Sequence, residues 1–291
     1  MFWSRITSTP RKRTVAIAAA LAVAGTIAPL GVASAHAATV HPALSSTSTA
    51  AKPTIVLVHG AWADASSWDG VASILLQDGY TVDVAPNPLR GLTYDTQYLQ
   101  DYLAGITGPI VLVGHSYGGM VITDAATGNP AVKALVYDDA YIPALGENAS
   151  TLSSAASALA PATTDPASVF TLDNYPGQPA ATVKDTYLLK SVVDQDFAPD
   201  VSPAEQALLF ATQSPTSLAA LAQPSTAPAW TTIPSWDVIG RQDKIIPEAA
   251  QLTMAHRAGS HITEINSSHV SLISHPAEVA AVILKAVWAT S

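Results

Sequence analysis

The chain has 291 residues, 48 % of them hydrophobic and only 12 % charged, with a net charge of −9. That length suits one large α/β domain with a sizeable core, and the acidic balance argues against nucleic acid or an anionic membrane as partner. The chain has no cysteine, which excludes disulfides and a thiol nucleophile. Its eight histidines form neither an H-E-x-x-H pair nor a carboxylate cluster at metal-ligand spacing, so neither a metal nor another cofactor is expected.

Residues 1–37 read as a secretory signal peptide. Arg5, Arg11, Lys12 and Arg13 make a basic start, Thr14 to Ala33 is apolar and alanine-rich with a break at Pro29, and Ala35-His36-Ala37 fits the small-x-small exit. The apolar stretch is only marginally long enough to span a bilayer, so cleavage near Ala37, a secreted product and no stable membrane anchor are expected. Losing four of the 13 cations leaves nine against 22 acidic residues, a net charge of −13. Residues 38–52, rich in Ala, Ser, Thr and Pro, read as a flexible leader to a domain over 53–291.

That domain opens with Thr54 to Val58, a continuous apolar run of the kind buried in a parallel sheet. It leads into His59-Gly60-Ala61-Trp62, a turn in which His59 is expected to fix the loop by hydrogen bonding. Trp68 to Leu76 has helical spacing and ends near Gly79. Tyr80 to Ala85 reads as a strand and Tyr94 to Ala104 as an amphipathic helix. Ile110 to Val113 then runs into Gly114-His115-Ser116-Tyr117-Gly118-Gly119 and a second apolar run. Strand, sharp corner and helix with G-x-S-x-G at the corner is the nucleophile elbow. The corner strains Ser116 and demands small neighbours, which Gly114 and Gly118 supply. The backbone N–H groups of Tyr117 and Ala61 are the expected oxyanion donors.

Val132 to Tyr137 reads as the next strand, ending in Asp138-Asp139. Residues 142–230 turn Pro-, Ala-, Ser- and Thr-rich, with weak helical segments at Ala204 to Ala211 and Leu218 to Ala222 and no clear strand. At about ninety residues they are too long for a plain loop and are expected to form a helical lid inserted between two strands. Trp236 to Gly240 resumes the sheet, and a helix is expected from Pro247 to Ala258. His261 to Ile265 is the last strand, followed by Ser267-Ser268-His269 and a terminal helix from Pro276. Alternating strands and helices predict a mostly parallel, doubly wound sheet.

Four motifs occur in order: His59-Gly60-Ala61-Trp62, Gly114-His115-Ser116-Tyr117-Gly118-Gly119, Gly240-x-x-Asp243-x-x-x-Pro247, and His269 seven residues before Pro276. Over residues 53–290 the chain resembles the α/β-hydrolase superfamily. The H-G-A-W opening with Trp68 downstream is similar to the branch holding methylesterases, hydroxynitrile lyases and small bacterial carboxylesterases. The resemblance implies a Ser116–His269–Asp243 triad. Two features depart from the pattern: residues 142–230 match no motif, and Asp138-Asp139 is an unusually acidic turn, expected to cap or salt-bridge the first turn of the lid.

The chemistry of the residues agrees. A serine hydroxyl needs an adjacent base, which His269 can supply, and an imidazole needs a carboxylate to fix its tautomer, which Asp243 can reach. All converge at the carboxyl ends of the strands. The expected reaction is hydrolysis of a small-molecule carboxylic ester, or of a lactone, thioester or amide, through an acyl-enzyme. Two alternatives remain at this stage. One is a hydroxynitrile-type lyase, for which Lys244 is the nearby cation; the other is a non-catalytic receptor for a small ligand. Trp62, Trp68 and Tyr141 are candidate pocket residues. His115 is expected to pack beneath the serine, His275 to start a helix, His256 and His261 to lie at the surface, and Asp237 to point away from the sheet edge. The oligomeric state and the particular ester are not legible.

Overall fold

The computed structural model describes residues 52–175 and 183–290. The proposed signal peptide and leader lie outside them, apart from Lys52. Six strands form a wholly parallel sheet: β1 (Thr54–Val58), β2 (Thr81–Ala85), β3 (Ile110–His115), β4 (Val132–Asp138), β8 (Ser235–Gly240) and β9 (His261–Ile265). Their spatial order is β2-β1-β3-β4-β8-β9. The strands β1 and β3 are apolar along their length and buried on both faces, as parallel strands covered by helices must be. Helices α1 (Asp69–Gln77), α2 (Leu92–Leu103) and α3 (Tyr117–Ala125) follow β1, β2 and β3, and the helices Glu248–Ala258 and Pro276–Ala289 follow β8 and β9. Each element expected from the sequence in this part of the chain is present, with ends displaced by a residue or two.

The chain between β4 and β8 differs from a lid without strands. Helices Pro203–Ala211 and Leu218–Ala222 are there, but so is a small antiparallel sheet of β5 (Phe170–Asn174), β6 (Lys184–Leu188) and β7 (Thr216–Ser217). This sheet is stitched to the loops at the carboxyl edge of the main one. Thr216 Oγ1 accepts from the Trp62 backbone N–H at 2.9 Å, Thr186 Oγ1 from the Trp62 indole at 2.9 Å, and Leu89 O from Ser217 N at 3.0 Å. Arg90 reaches Asp185 at 2.7 Å in a largely buried pair. The insertion also contributes Phe170, Leu188, Val193 and Phe197 to the buried core.

Candidate active site

Strand order decides which loops can meet. Because β1 and β3 are neighbours, His59–Trp62 lies beside the corner at Ser116, while the turns after β4, β8 and β9 lie in succession on the other side. Ser116 sits at φ 52°, ψ −122°, a left-handed conformation that an ordinary side chain adopts only under constraint. The constraint is close packing: a Cβ on Gly114 would stand 2.6 Å from Gly118 O, and one on Gly60 would stand 2.7 Å from Ser116 Cβ.

The structure brings Ser116, His269 and Asp243 together. His269 Nε2 is 2.9 Å from Ser116 Oγ, and its Nδ1 is 2.7 Å from Asp243 Oδ2. Asp243 Oδ1 accepts the N–H groups of Ile245 (2.7 Å) and Ile246 (2.9 Å), and Oδ2 also accepts from Gln251 Nε2 at 2.8 Å. A carboxylate saturated with donors acts as acceptor to the imidazole too, so Nδ1 carries the proton and Nε2 is left to receive the serine's. The backbone N–H groups of Ala61 and Tyr117 have no acceptor among the described residues, and both flank Ser116.

The remaining expectations divide. His59 Nδ1 lies 3.0 Å from Gly60 O, in keeping with a loop-fixing role, and burial lowers its pKa. His115 is buried with Nε2 2.8 Å from His269 O, and burial, reinforced by the neighbouring His269, holds its pKa well below the usual imidazole value. A neutral His115 therefore donates to that carbonyl and steadies the histidine loop from below. His275 directly precedes the helix that starts at Pro276, and His256 and His261 are exposed. Tyr141 lines a cavity of about 390 Å³ with Ala149, Leu159, Phe170, Leu218 and Leu221, and its backbone N–H donates to Ser116 O at 3.3 Å. Trp62 stands behind this wall, its ring 5.3 Å from that of Phe170. Trp68 is not a pocket residue: it is fully buried, edge-on to His115. Lys244 turns outward to Gln195 O (2.8 Å) and Asp196 (3.2 Å), more than half exposed. Asp138 and Asp139 neither cap nor salt-bridge the lid. Both are fully buried; Asp138 Oδ1 accepts from Ser271 Oγ at 2.6 Å, and Asp139 accepts from Gly240 N at 2.6 Å and Ser271 N at 3.2 Å.

Sequence reasoning missed three participants. Gln251 lies in the first turn of the helix Glu248–Ala258, eight residues beyond Asp243, and nothing in the spacing pointed to it. Phe197 packs its ring 5.3 Å from the His269 ring, and Asp200 accepts from Ser268 N at 2.8 Å and from Ser268 Oγ. Both belong to the insertion, where no motif pointed to them.

Residues 55–282 match the model of the alpha/beta hydrolase family. The chain belongs to this family. Within it, a carbendazim-hydrolysing esterase from Nocardioides sp. is 34 % identical over 106 residues, a match covering 32 % of this chain and 44 % of that enzyme, so the likeness spans less than half of the relative's length. Among solved structures, an extracellular α/β-hydrolase from a Paenibacillus species superposes with a TM-score of 0.63 at 23 % identity, over 80 % of this chain and 98 % of that one. A methylesterase from Arabidopsis superposes with a TM-score of 0.65 at 16 % identity, over 81 % and 99 %. Esterases are thus among the proteins this chain resembles, one of them in sequence over 106 residues and others in fold.

Proposed function

We propose that the chain is a secreted serine hydrolase that cleaves a small-molecule carboxylic ester, with lactones, thioesters and amides as chemically equivalent substrates. The observation that carries this reading is the continuous relay from Ser116 Oγ through His269 to Asp243, at 2.9 and 2.7 Å, on a strained corner. Ser116 attacks the carbonyl carbon while His269 Nε2 takes its proton. The N–H groups of Ala61 and Tyr117 hold the developing oxyanion. Imidazolium returns the proton to the leaving alcohol, and the same base then activates water to clear the acyl-enzyme. Asp243 keeps the imidazole in the productive tautomer throughout. The cavity behind Tyr141 would take the larger apolar group of the ester. The likeness to esterases supports ester chemistry in general. A lyase reading loses its cation, since Lys244 is paired outside the site, and secretion rests on the basic start, the apolar stretch and the Ala35-His36-Ala37 exit.

The test is turnover of p-nitrophenyl esters of graded chain length by the purified protein and by Ser116→Ala. The expected outcome is hydrolysis by the former and a fall on the order of 10⁶ in kcat for the latter. Activity of Ser116→Ala within tenfold of the parent would overturn the assignment, and intact-mass analysis of the protein from the culture medium would reveal residues 1–37 if they were retained.

A further inference from the structure

In the sheet, β9 lies three strands from β3, roughly 14 Å at the usual spacing between strands. Ser116 leaves β3 and His269 follows β9, yet their side chains meet at 2.9 Å. The loop after β9 therefore has to arch back over the ends of β8 and β4. A loop spanning that distance needs a support, and the support it meets is the acidic turn at the end of β4.

Asp139 Oδ2 accepts from Ser271 N, two residues past His269, and Oδ1 accepts from Gly240 N, three residues before Asp243. One carboxylate thus holds the histidine's loop and the acid's turn together while bonding neither His269 nor Asp243. It does so from a strained backbone, φ 45° on a non-glycine residue, a conformation that persists only where the surroundings enforce it. Ser271 Oγ is held in turn by Asp138.

We propose that Asp139 is a positioning residue of the reaction, a brace that sets the separation of His269 and Asp243 and whose charge tunes the basicity of His269. This rests on the serine-hydrolase reading above. The titratable groups facing Asp139 are Asp138 beside it, Asp237 on β8, Asp243 after β8 and His269 after β9. Burial, with Asp243 adding to it and His269 opposing, pushes the Asp139 carboxyl up to about 7. Burial drives the Asp138 and Asp237 carboxyls well above the usual carboxylate range, and the neighbouring Asp139 adds to both shifts.

The experiment is the pH profile of ester hydrolysis by Asp139→Asn beside the parent and Ser116→Ala. An anion near His269 favours the imidazolium. The parent is therefore expected to show an added inflection in kcat/KM near 7, where Asp139 ionises, and Asp139→Asn is expected to lose it, with kcat above that pH lowered by less than tenfold and KM unchanged. A loss of active protein with the inflection retained, or with the profile scaled alike at every pH, would overturn the proposal, because a purely structural role does not change the shape of the profile. If Asp139→Asn does not fold, the low-field Nδ1 proton of His269, assigned by its loss in His269→Ala, is followed by NMR in the parent. Two inflections, one near 7 from Asp139, are expected, and a single inflection overturns the proposal. Full activity of Ser116→Ala would instead refute the serine-hydrolase reading itself, so the two failures are distinct.

Discussion

At the scale of single residues, the two acids that could serve His269 differ in what they touch. Asp243 reaches Nδ1 at 2.7 Å, while Asp139 ends on backbone N–H groups on either side. Asp243→Asn replaces an acceptor with an amide that can present a donor, which favours the wrong imidazole tautomer. We expect kcat to fall by about 10⁴, against less than tenfold for Asp139→Asn, measured as steady-state turnover of the same ester. The reverse order would make Asp139 the triad acid. Gln251 and the Ile245 and Ile246 N–H groups fix the Asp243 carboxylate against the imidazole.

At the scale of elements, the insertion between β4 and β8 is part of the site. Its segment around Phe197 and Asp200 touches the histidine and the residue before it, and its helix Leu218–Ala222 and strand β5 wall the cavity behind Tyr141. Leu221→Trp should fill that space. Turnover of long-chain p-nitrophenyl esters is then expected to fall at least tenfold relative to the acetate, since excess volume in a formed pocket is rejected at about 1–3 kcal/mol. An unchanged chain-length profile would place the acyl group elsewhere. The main strands were readable because buried parallel strands are continuous apolar runs and their turns carry glycine at fixed places, as at Gly114 and Gly240. The strands β5 and β6, Phe-Thr-Leu-Asp-Asn and Lys-Asp-Thr-Tyr-Leu, carry polar residues throughout, and their partners are set by the loops at Trp62 and Leu89, far away in sequence. The brace at Asp139 was illegible for a related reason. Two adjacent acids look like a solvated turn until the return path of a loop from β9 is known to cross them.

At the scale of the whole molecule, buried ionisable groups set how stability depends on pH. Asp95, Asp138, Asp139 and Asp237 all have pKa values raised by burial. Unfolded, each loses its proton near pH 4; folded, each keeps it to a higher pH. Between those values the native state binds more protons, so stability falls as pH rises, by up to about 1.4 kcal/mol per pH unit for each group. His59 and His115, with pKa values lowered by burial, act in the opposite sense, but only below about pH 6.5, where unfolded imidazoles gain protons. Above that the carboxyls act alone. Calorimetry should therefore show Tm decreasing from pH 6.5 to 8. Asp237→Asn, which removes a carboxyl whose two oxygens have no partner among the described residues, should raise Tm at pH 8 and flatten the slope. A Tm that climbs over this interval would contradict the raised values.

Ser116 is only 3 % exposed and His269 not at all, with the insertion lying over the histidine through Phe197. If the insertion has to move before a substrate reaches so enclosed a nucleophile, the waiting time is a property of the protein alone. Covalent labelling by a fluorophosphonate probe should then follow a hyperbola in probe concentration and level off at the rate of opening, on the microsecond-to-second scale of lid motions. Substitutions at Arg90 or Asp185, whose pair ties the small sheet of the insertion to the loop after β2, would change that plateau: the pace of the enzyme would be set by its cover rather than by the strength of its serine.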